Sequence, residues 1–408
     1  MSGSHSRTDK LGLVLRRLRD PGPRSRARLA EELDLSRSAV SALVAELEER
    51  GLVRSAGTER GGVGRPGTTL ELDGRNVCGL GAEINVNHVA TVALDLGGRV
   101  VVEHRESLDA SRLDAGEVLD RLAALVARTD DEVRAAGAQT IGLGVGVAGL
   151  VDRTRDVLTL GPNLGWRDVP VGAELRGRLG AAFPVLIDNE GNLAATAESG
   201  PGDPARQDIL VIYGEVGLGG GIVADGRLLR GRQGYAGELG HMIVDPGGRR
   251  CGCGRIGCWE TVCGLRALMD AAADPDDPVR DPALSLDDRL AEIDRRATLG
   301  DTRTVAALDQ VGGWVGVGAA ILTNALNPGS VVLSGYFAGL GPHLRPAMEQ
   351  RLAAGVVAPH VGGTRVEMST LGFAAAVRGG ALAALETVFE DPTLVARPRG
   401  AAVSGGAR

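Results

Sequence analysis

Aromatic residues are scarce in this chain, at 2% of 408 residues, while hydrophobic residues as a whole reach 43%. The core must therefore be built mainly from leucine, valine and alanine. No run approaches the roughly 20 apolar residues that a membrane-spanning helix needs. The polar N-terminus, Met1 to Lys10, also lacks the apolar stretch of a signal peptide. We expect a cytoplasmic protein with no membrane partner, and its length indicates two or three domains.

Cysteine is also sparse, but its distribution is uneven. Of five cysteines, three fall within eight positions, Cys251, Cys253 and Cys258, while Cys78 and Cys263 stand apart. In a reducing compartment such clustering favours a metal site over a disulfide.

The net charge of -7 argues weakly against a general polyanion binder, but the charge is unevenly spread. Residues 1–70 hold 13 basic and 9 acidic side chains, a balance of +4, so the remainder carries -11. The basic side chains are almost all arginine, which genome composition explains better than function does. A modestly basic head thus precedes an acidic body.

The head is predicted to contain three short helices and a wing. Leu11 to Leu18 show helical spacing, and a second helix is predicted from about Ser25 to Leu33. Ser36 is a plausible N-cap for a third helix, which should end at Gly51. Two short strands around a glycine-rich tip follow. This order is that of a winged helix-turn-helix, predicted over residues 1–73.

On that geometry, the first turn of the third helix enters the DNA major groove. It exposes Arg37, Ser38 and Ser41, and Arg65 at the wing tip reaches the minor groove or the phosphates. Small helical bundles with exposed arginines are common, so this pattern leaves a purely structural alternative open.

From Cys78 onward, strands alternate with helices. Three strands between Leu80 and His104 resemble a meander, followed by a helix over Ala115 to Ala136 and a strand over Ile141 to Val147. A second opening of the same kind begins at Asp208. We therefore predict an α/β body over residues 78–390 with two actin-like, sugar-kinase-type (ribonuclease H-like) lobes and a cleft between them, and a disordered tail over 391–408.

The strongest single motif lies at residues 240–260, which read GHMIVDPGGRRCGCGRIGCWE. His241, Cys251, Cys253 and Cys258 supply one imidazole and three thiolates, a closed tetrahedral set typical of structural Zn²⁺. No ligand position remains for a catalytic water. The alternatives are a disulfide and a loop without metal.

The pattern G-H-x9-C-x-C-G-x2-G-C-x-E closely resembles the signature of the ROK family, which groups repressors, open reading frames and sugar kinases. Further segments of the family occur in the expected order: GVAGLVD from Gly146, PNLGW from Pro162, DNEGN from Asp188 and ELGH from Glu238. The head resembles the DNA-binding domain of the family's repressors. Kinases of the family usually lack this domain. The resemblance covers about residues 78 to 390, and it implies a sugar-responsive regulator with a DNA operator as partner.

The resemblance also implies sugar contacts, because carboxylates and amides that converge on a cleft can satisfy several sugar hydroxyls at once. The residues concerned are Asn163, Asp188, Asn189, Glu238, His241 and Glu260. His241 would bind zinc through one ring nitrogen and face the sugar with the other. Each of these residues has a plainer reading as a helix cap or a solvated loop residue.

Kinases of the family carry a hairpin resembling D-x-G-x-T-K that holds phosphates, and Asp188 resembles their catalytic base. Here the hairpin reads Glu83-Ile84-Asn85-Val86-Asn87-His88, and Glu215-Val216 precede the second glycine-rich turn. The phosphate grip is thus predicted to be broken, with Asp188 only a vestigial base. An active sugar kinase and a sugar-binding scaffold without DNA affinity remain alternatives, and the sequence does not decide between repressor and activator. A homodimer or dimer of dimers is expected, because one winged helix reads only a half-site.

Overall fold

The computed structural model describes residues 6–58, 68–180, 183–200, 202–281, 284–358 and 363–397. The helices are α1 Arg7–Arg19, α2 Arg26–Glu32, α3 Arg37–Glu49, α4 Ala115–Ala135, α5 Val171–Leu179, α6 Glu190–Ser199, α7 Glu260–Cys263, α8 Leu265–Ala272, α9 Leu286–Thr298, α10 Thr302–Leu326, α11 Tyr336–Gly339, α12 Gly341–Gly355 and α13 Ala375–Glu390. The strands are β1 Arg24–Ser25, β2 Val53–Thr58, β3 Thr68–Leu72, β4 Val77–Ile84, β5 His88–Asp95, β6 Val100–Ser107, β7 Gln139–Val147, β8 Leu150–Asp152, β9 Val157–Gly161, β10 Trp166–Val169, β11 Val185–Asn189, β12 Ile209–Gly214, β13 Leu218–Ala224, β14 Arg227–Leu228, β15 Ser330–Gly335 and β16 Arg365–Met368.

The head is a winged helix-turn-helix. As predicted, Ser36 is the N-cap of α3, and its hydroxyl accepts a hydrogen bond from the backbone N–H of Ala39 at 3.2 Å. The chain leaves α3 through Gly51, whose φ of +68° suits glycine. Strands β2 and β3 pair antiparallel and form the wing, with β1 on the other side of β3. The wing tip at residues 59–67, and with it Arg65, lies outside the described residues.

The body consists of two α/β lobes, as the alternating pattern predicted. The first lobe is built on a sheet of order β11-β7-β4-β5-β6, in which β4, β5 and β6 form the antiparallel meander and β7 and β11 join in parallel. The second lobe has the order β14-β13-β12-β15-β16. Helices α4 and α5 cover one face of the first sheet, and α8, α10, α11 and α12 pack into the core of the second.

Helices α6 and α13 lie between the two sheets and pack against each other. Their approach depends on glycine, because a Cβ at Gly81 or Gly144 on the first sheet would collide with the backbone of α13 at Val377 or Gly380. Strands rich in glycine thus bring α13 unusually close to the first sheet.

By length and composition alone, α10 and the segment Gly372–Glu390 could cross a membrane. Both are packed within the body: α10 lies against α12 and α8, and α13 lies against β4, β7 and α6. Helices of this kind are common in protein cores.

The head docks on the body through α13. Residues of α1, of the sheet strand β5 and of α13 share one apolar core. Around it, Arg19 donates to Glu386 at 2.6 Å and stacks over the Phe389 ring at 4.3 Å. Gly12 permits this contact, since a Cβ there would overlap the carbonyl of Phe389. The C-terminal end of α13 is therefore an integral part of the head–body joint.

The prediction of a disordered tail from residue 391 is wrong for residues 391–397. Pro392–Leu394 form a 3-10 turn and Val395 is buried. Arg50, at the end of α3, donates to the carbonyls of Thr393 and Val395, at 3.2 and 2.7 Å. These long-range bonds order the segment, and a local sequence pattern does not reveal them. Residues 398–408 lie outside the described part of the chain.

Candidate ligand cleft, metal site and DNA-binding surface

A narrow cleft lies between the lobes, where strands of both sheets end. It is lined by residues that follow β4, β7, β9, β11 and β12. Further lining residues lie in or beside the segment from His241 to Cys258, here called the metal loop because it carries the four predicted metal ligands. Ligands of open α/β sheets bind outside the carboxyl ends of the strands, particularly where two segments diverge. Five of the six predicted sugar contacts line this cleft, namely Asn163, Asn189, Glu238, His241 and Glu260.

Asn163 and Glu260 approach each other across Gly217 in the turn between β12 and β13. A Cβ on Gly217 would lie 2.6 Å from Glu260 Oε2 and 2.7 Å from Asn163 Nδ2. Glycine at this position therefore leaves room for an amide and a carboxylate to face the same point. Such a pair can both donate to and accept from a sugar hydroxyl.

Asn189 is engaged in local structure as well as lining the cleft. Its Oδ1 accepts from the backbone N–H groups of Gly191 and Asn192, at 2.7 and 3.3 Å, so it is the N-cap of α6. Its Nδ2 donates to the carbonyl of Gly149 at 2.9 Å. Of the two roles that the sequence left open for Asn189, helix cap and sugar contact, the structure shows the first. The cap also fixes the position of Asn189 in the cleft wall.

The cleft has a volume of about 50 Å³, the space of one or two water molecules. Small-molecule sites usually enclose roughly 300 Å³ or more. The cleft is therefore narrow in this structure, and its walls would have to move apart to admit a sugar.

Asp188 is the one predicted sugar contact that does not line the cleft. It is 5% exposed, and its Oδ2 forms ion pairs with Arg230 and, at 3.5 Å, with Arg153. Its Oδ1 accepts from Asn192 Nδ2 at 3.1 Å. Successive residues of a strand point to opposite faces, so Asp188 and the neighbouring Asn189 diverge at the end of β11. Neither arginine was predicted from sequence, because both approach Asp188 from other parts of the chain and belong to no motif.

A group of buried carboxylates, Glu83, Glu190 and Glu215, lies at the cleft, and the last two line it. Tyr213 donates to Glu215 Oε1 at 2.9 Å and lies 3.4 Å from Glu83 Oε1. Burial and the charge of Glu83 raise the pKa of both Glu190 and Glu215 well above the usual range. The Oε2 atoms of Glu83, Glu190 and Glu215 have no hydrogen-bond partner among the described residues. Each of these acids that ionises adds negative charge where phosphoryl transfer needs amides and a cation.

Glu238 lies at the opposite wall of the cleft. Its burial, with a smaller contribution from the charge of Glu260, raises its pKa to about 7. A carboxyl group with this pKa can act as a hydrogen-bond donor or as an acceptor near neutral pH.

The four predicted metal ligands converge on one point. Ligand atoms of His241, Cys251, Cys253 and Cys258 all lie within 4.8 Å of one another. Cys253 Sγ lies 3.6 Å from Cys258 Sγ, and Cys251 Sγ lies 3.7 Å from His241 Nδ1. Zinc–sulfur bonds of about 2.3 Å in a tetrahedron place neighbouring ligands about 3.5 to 3.8 Å apart. The donor set and its spacing therefore fit a tetrahedral metal ion, and the Cys253–Cys258 separation is too long for a disulfide.

The metal loop is a tight hairpin tied to the second lobe. Isolated bridges join Ile243 to Cys258 and Arg250 to Ile256. Trp259, at its base, is fully buried and donates through Nε1 to the carbonyl of Trp314 on α10 at 2.8 Å. Glu260 directly follows Trp259 and lines the cleft. The loop therefore joins the metal ligands to the core of the second lobe and to the cleft.

In the head, α3 presents a polar N-terminal surface. Arg37, Ser38 and Ser41 are all exposed on it, and within the described part of the chain Arg37 forms no ion pair. Neighbouring head arginines are instead neutralised, as in Arg26 with Glu48 and Arg28 with Glu32, both at 2.9 Å. The acidic residues of α3 are confined to its C-terminal half. An unpaired guanidinium at a helix N-terminus suits contact with a polyanion.

Two family profiles match the chain. The profile of the ROK family covers residues 80–387, and that of the MarR family covers residues 12–62. The first match spans the two lobes, the cleft and the metal loop, and the second spans the three helices of the head and the first strand of the wing.

Individual relatives differ in how much of the chain they cover. The chain is 28% identical to the xylose repressor of Bacillus subtilis over 84% of this chain and 86% of that protein. It is 34% identical to a glucokinase of Halalkalibacterium halodurans over 59% of this chain and 74% of that enzyme. A crystal structure of a ROK family transcriptional regulator, described as a homologue of the E. coli MLC protein, superimposes with a TM-score of 0.73 at 25% identity, covering 94% of this chain and 98% of that one.

Proposed function

The chain belongs to the ROK family, and from that premise we propose that it is a sugar-responsive transcriptional repressor. The proposal depends on the presence of two parts in one chain. One is a winged helix with an unpaired Arg37, and the other is a cleft whose amide and carboxylate groups suit sugar hydroxyls. The repressor relatives extend over both parts, whereas the glucokinase similarity covers a smaller share of the chain. This distribution favours a regulator over a kinase.

Sugar and DNA act on each other through linkage. The walls of the narrow cleft must move apart when a sugar enters, and α13 passes from the lobe interface to the head–body joint. If the resulting arrangement of the heads fits the operator less well, the sugar weakens DNA binding and DNA weakens sugar binding by the same factor. Release of the operator then needs no covalent chemistry.

The metal that the loop holds is zinc, bound structurally through His241, Cys251, Cys253 and Cys258. With His241 Nδ1 directed to the thiolates, Nε2 is left for a sugar hydroxyl. These four residues would leave a bound zinc ion no open position for a water molecule, so its role would be to hold the cleft wall in place.

Phosphoryl transfer is not part of the proposed function. Asp188, the vestigial base, is bound to Arg230 and Arg153 and does not line the cleft. The buried acids Glu83, Glu190 and Glu215 at the cleft would disfavour binding of a triphosphate. The operator-bound form is a homodimer or a dimer of dimers in the cytoplasm, because two-fold symmetry doubles the sequence that one head reads.

The proposal is tested by mobility shift with the DNA upstream of the protein's own gene, using a panel of sugars with and without ATP. We expect salt-dependent, sequence-selective binding that one sugar relieves without ATP, and no sugar-dependent consumption of ATP. Absence of a shift at low salt would contradict the proposal. Rapid sugar-dependent ATP consumption would instead support the kinase.

Replacing Arg37 with alanine should weaken specific operator binding by about 1–3 kcal/mol per half-site, roughly ten- to a hundredfold, because a base-reading arginine is lost. Sugar affinity should be unchanged, since Arg37 lies on the head and not in the cleft. The measurements are operator titration and sugar calorimetry on the same preparations.

The matched control is Arg128→Ala. Arg128 is an exposed arginine of α4 that pairs with Glu132, and its loss removes the same charge at a distance from the head. The assigned role of Arg37 would be refuted by an equal loss of DNA affinity in both variants, or by a parallel loss of sugar affinity in Arg37→Ala.

A further inference from the structure

A second and much larger cavity, of about 870 Å³, lies where the head and the two lobes meet. Its walls come from Arg19 of α1, Leu96 after β5, Thr196 of α6, Leu228 of β14 and one side of α13. It shares no lining residue with the sugar cleft. Its volume lies within the range of small-molecule sites.

Four arginines line this cavity, namely Arg19, Arg153, Arg230 and Arg378. Arg19 is paired with Asp20 and Glu386, so the other three are the candidates for binding an anion. Arg153 and Arg230 share the single carboxylate of Asp188, which leaves a surplus of positive charge. Arg378 lies on α13, and its buried Nε has no hydrogen-bond partner among the described residues.

The other acids that line the cavity do not offset these charges. Glu386 is already paired with Arg16 and Arg19, at 3.3 and 2.6 Å. Glu390 is exposed at the last position of α13. From Arg378 to Glu390 the helix rises about 18 Å, so this second acid lies far from the arginine.

An unpaired buried arginine N–H is costly, and an incoming anion would satisfy it. Guanidinium groups bind phosphate oxygens in a fork of two parallel hydrogen bonds. Aliphatic side chains such as Leu186, Leu371 and Leu382 form much of the remaining wall. The cavity thus offers charge for one anionic group and apolar surface for the rest of a ligand.

We propose that this cavity is a second ligand site, separate from the sugar cleft, that binds a small phosphorylated metabolite through Arg378, Arg230 and Arg153. A phosphate seated there competes with Asp188 for the two arginines. Asp188 precedes the cleft residue Asn189, and Arg19 belongs to the head. The occupant would therefore touch the head directly and reach the cleft only through the arginines that hold Asp188.

The test uses the full-length protein and calorimetric titration with three probes: inorganic phosphate, glucose 6-phosphate and glucose. We expect both phosphate-bearing probes to bind. Arg378→Gln should weaken their binding roughly tenfold or more, because a charge-assisted pair is lost, while Arg378→Lys should retain most of it. The affinity for glucose should be the same in the unaltered protein, in Arg378→Gln and in Arg378→Lys.

Two control variants separate the sites. Asn163→Ala alters the sugar cleft and should leave the binding of inorganic phosphate unchanged, and Arg128→Gln removes a remote surface charge. The proposal is overturned if neither phosphate probe binds the unaltered protein, or if Asn163→Ala or Arg128→Gln weakens phosphate binding as much as Arg378→Gln does. It is also overturned if Arg378→Gln lowers the thermal unfolding midpoint while phosphate affinity stays constant, since Arg378 would then be purely structural.

Discussion

Replacing Gly217 with alanine should weaken sugar binding roughly 100-fold while leaving the fold and the sugar-free affinity for DNA unchanged. The added methyl group would lie 2.6 Å from Glu260 Oε2 and 2.7 Å from Asn163 Nδ2, closer than real contacts allow. Both atoms end flexible side chains, so the side chains will rotate away and the backbone will stay in place. The variant therefore removes the convergence of the two polar groups without removing either group.

The magnitude follows from the loss of two hydrogen-bonding positions. Each hydrogen bond to a charged group contributes about 1.5–3 kcal/mol and each neutral one about 1 kcal/mol, so the pair amounts to roughly two orders of magnitude in affinity. In the mobility-shift assay, the sugar concentration that releases the operator should rise by the same factor. DNA affinity without sugar should not change, because Gly217 lines the cleft and no residue of the head does.

Gly177→Ala is the control for a glycine-to-alanine change. Gly177 lies in α5, where a Cβ would meet nothing within 4 Å, and alanine there should be neutral or slightly stabilising. Unchanged sugar affinity in Gly217→Ala would show that Asn163 and Glu260 do not hold the sugar. Unfolding of Gly217→Ala would show that the turn is packed more rigidly than the side-chain contacts indicate.

Much of the fold follows from local sequence patterns. Ser36 and Gly51 delimit α3 through backbone capping, a property of a few adjacent residues. The meander and the helix α4 likewise follow from hydrophobic periodicity. The metal ligands were also predictable, because three of the four lie within eight positions and His241 is the only additional ligand needed.

Contacts between distant segments were not predictable in the same way. Asp188 was assigned to the cleft by motif, but its environment is set by Arg153 and Arg230, which come from other elements and leave no periodic signal. The docking of residues 391–397 on α3 depends similarly on Arg50, some 340 residues earlier in the chain. The small volume of the cleft, about 50 Å³, depends on how the lobes pack, and no local sequence pattern predicts it.

Loss of the metal should be the most disruptive change to the sugar response. In Cys258→Ser, we expect the zinc content to fall from about one per chain to well below that, since structural zinc needs all four ligands for full affinity. Cys258 is fully buried and pairs across the hairpin with Ile243. Without the ion, His241 and Glu260 lose their common anchor, so sugar affinity should fall at least as far as in Gly217→Ala.

The head should escape this loss, because its core is shared with α13 and β5 and not with the metal loop. Operator binding without sugar should therefore persist in Cys258→Ser, and the sugar should no longer relieve it. The control is Cys78→Ser: Cys78 is buried in β4 away from the cluster, and burial raises the pKa of its thiol to about 11, so it is inert. The measurements are elemental analysis and sugar titration of both variants. Full zinc content in Cys258→Ser would show that Cys258 is not a zinc ligand, and wild-type sugar affinity in that variant would show that zinc does not support the sugar site.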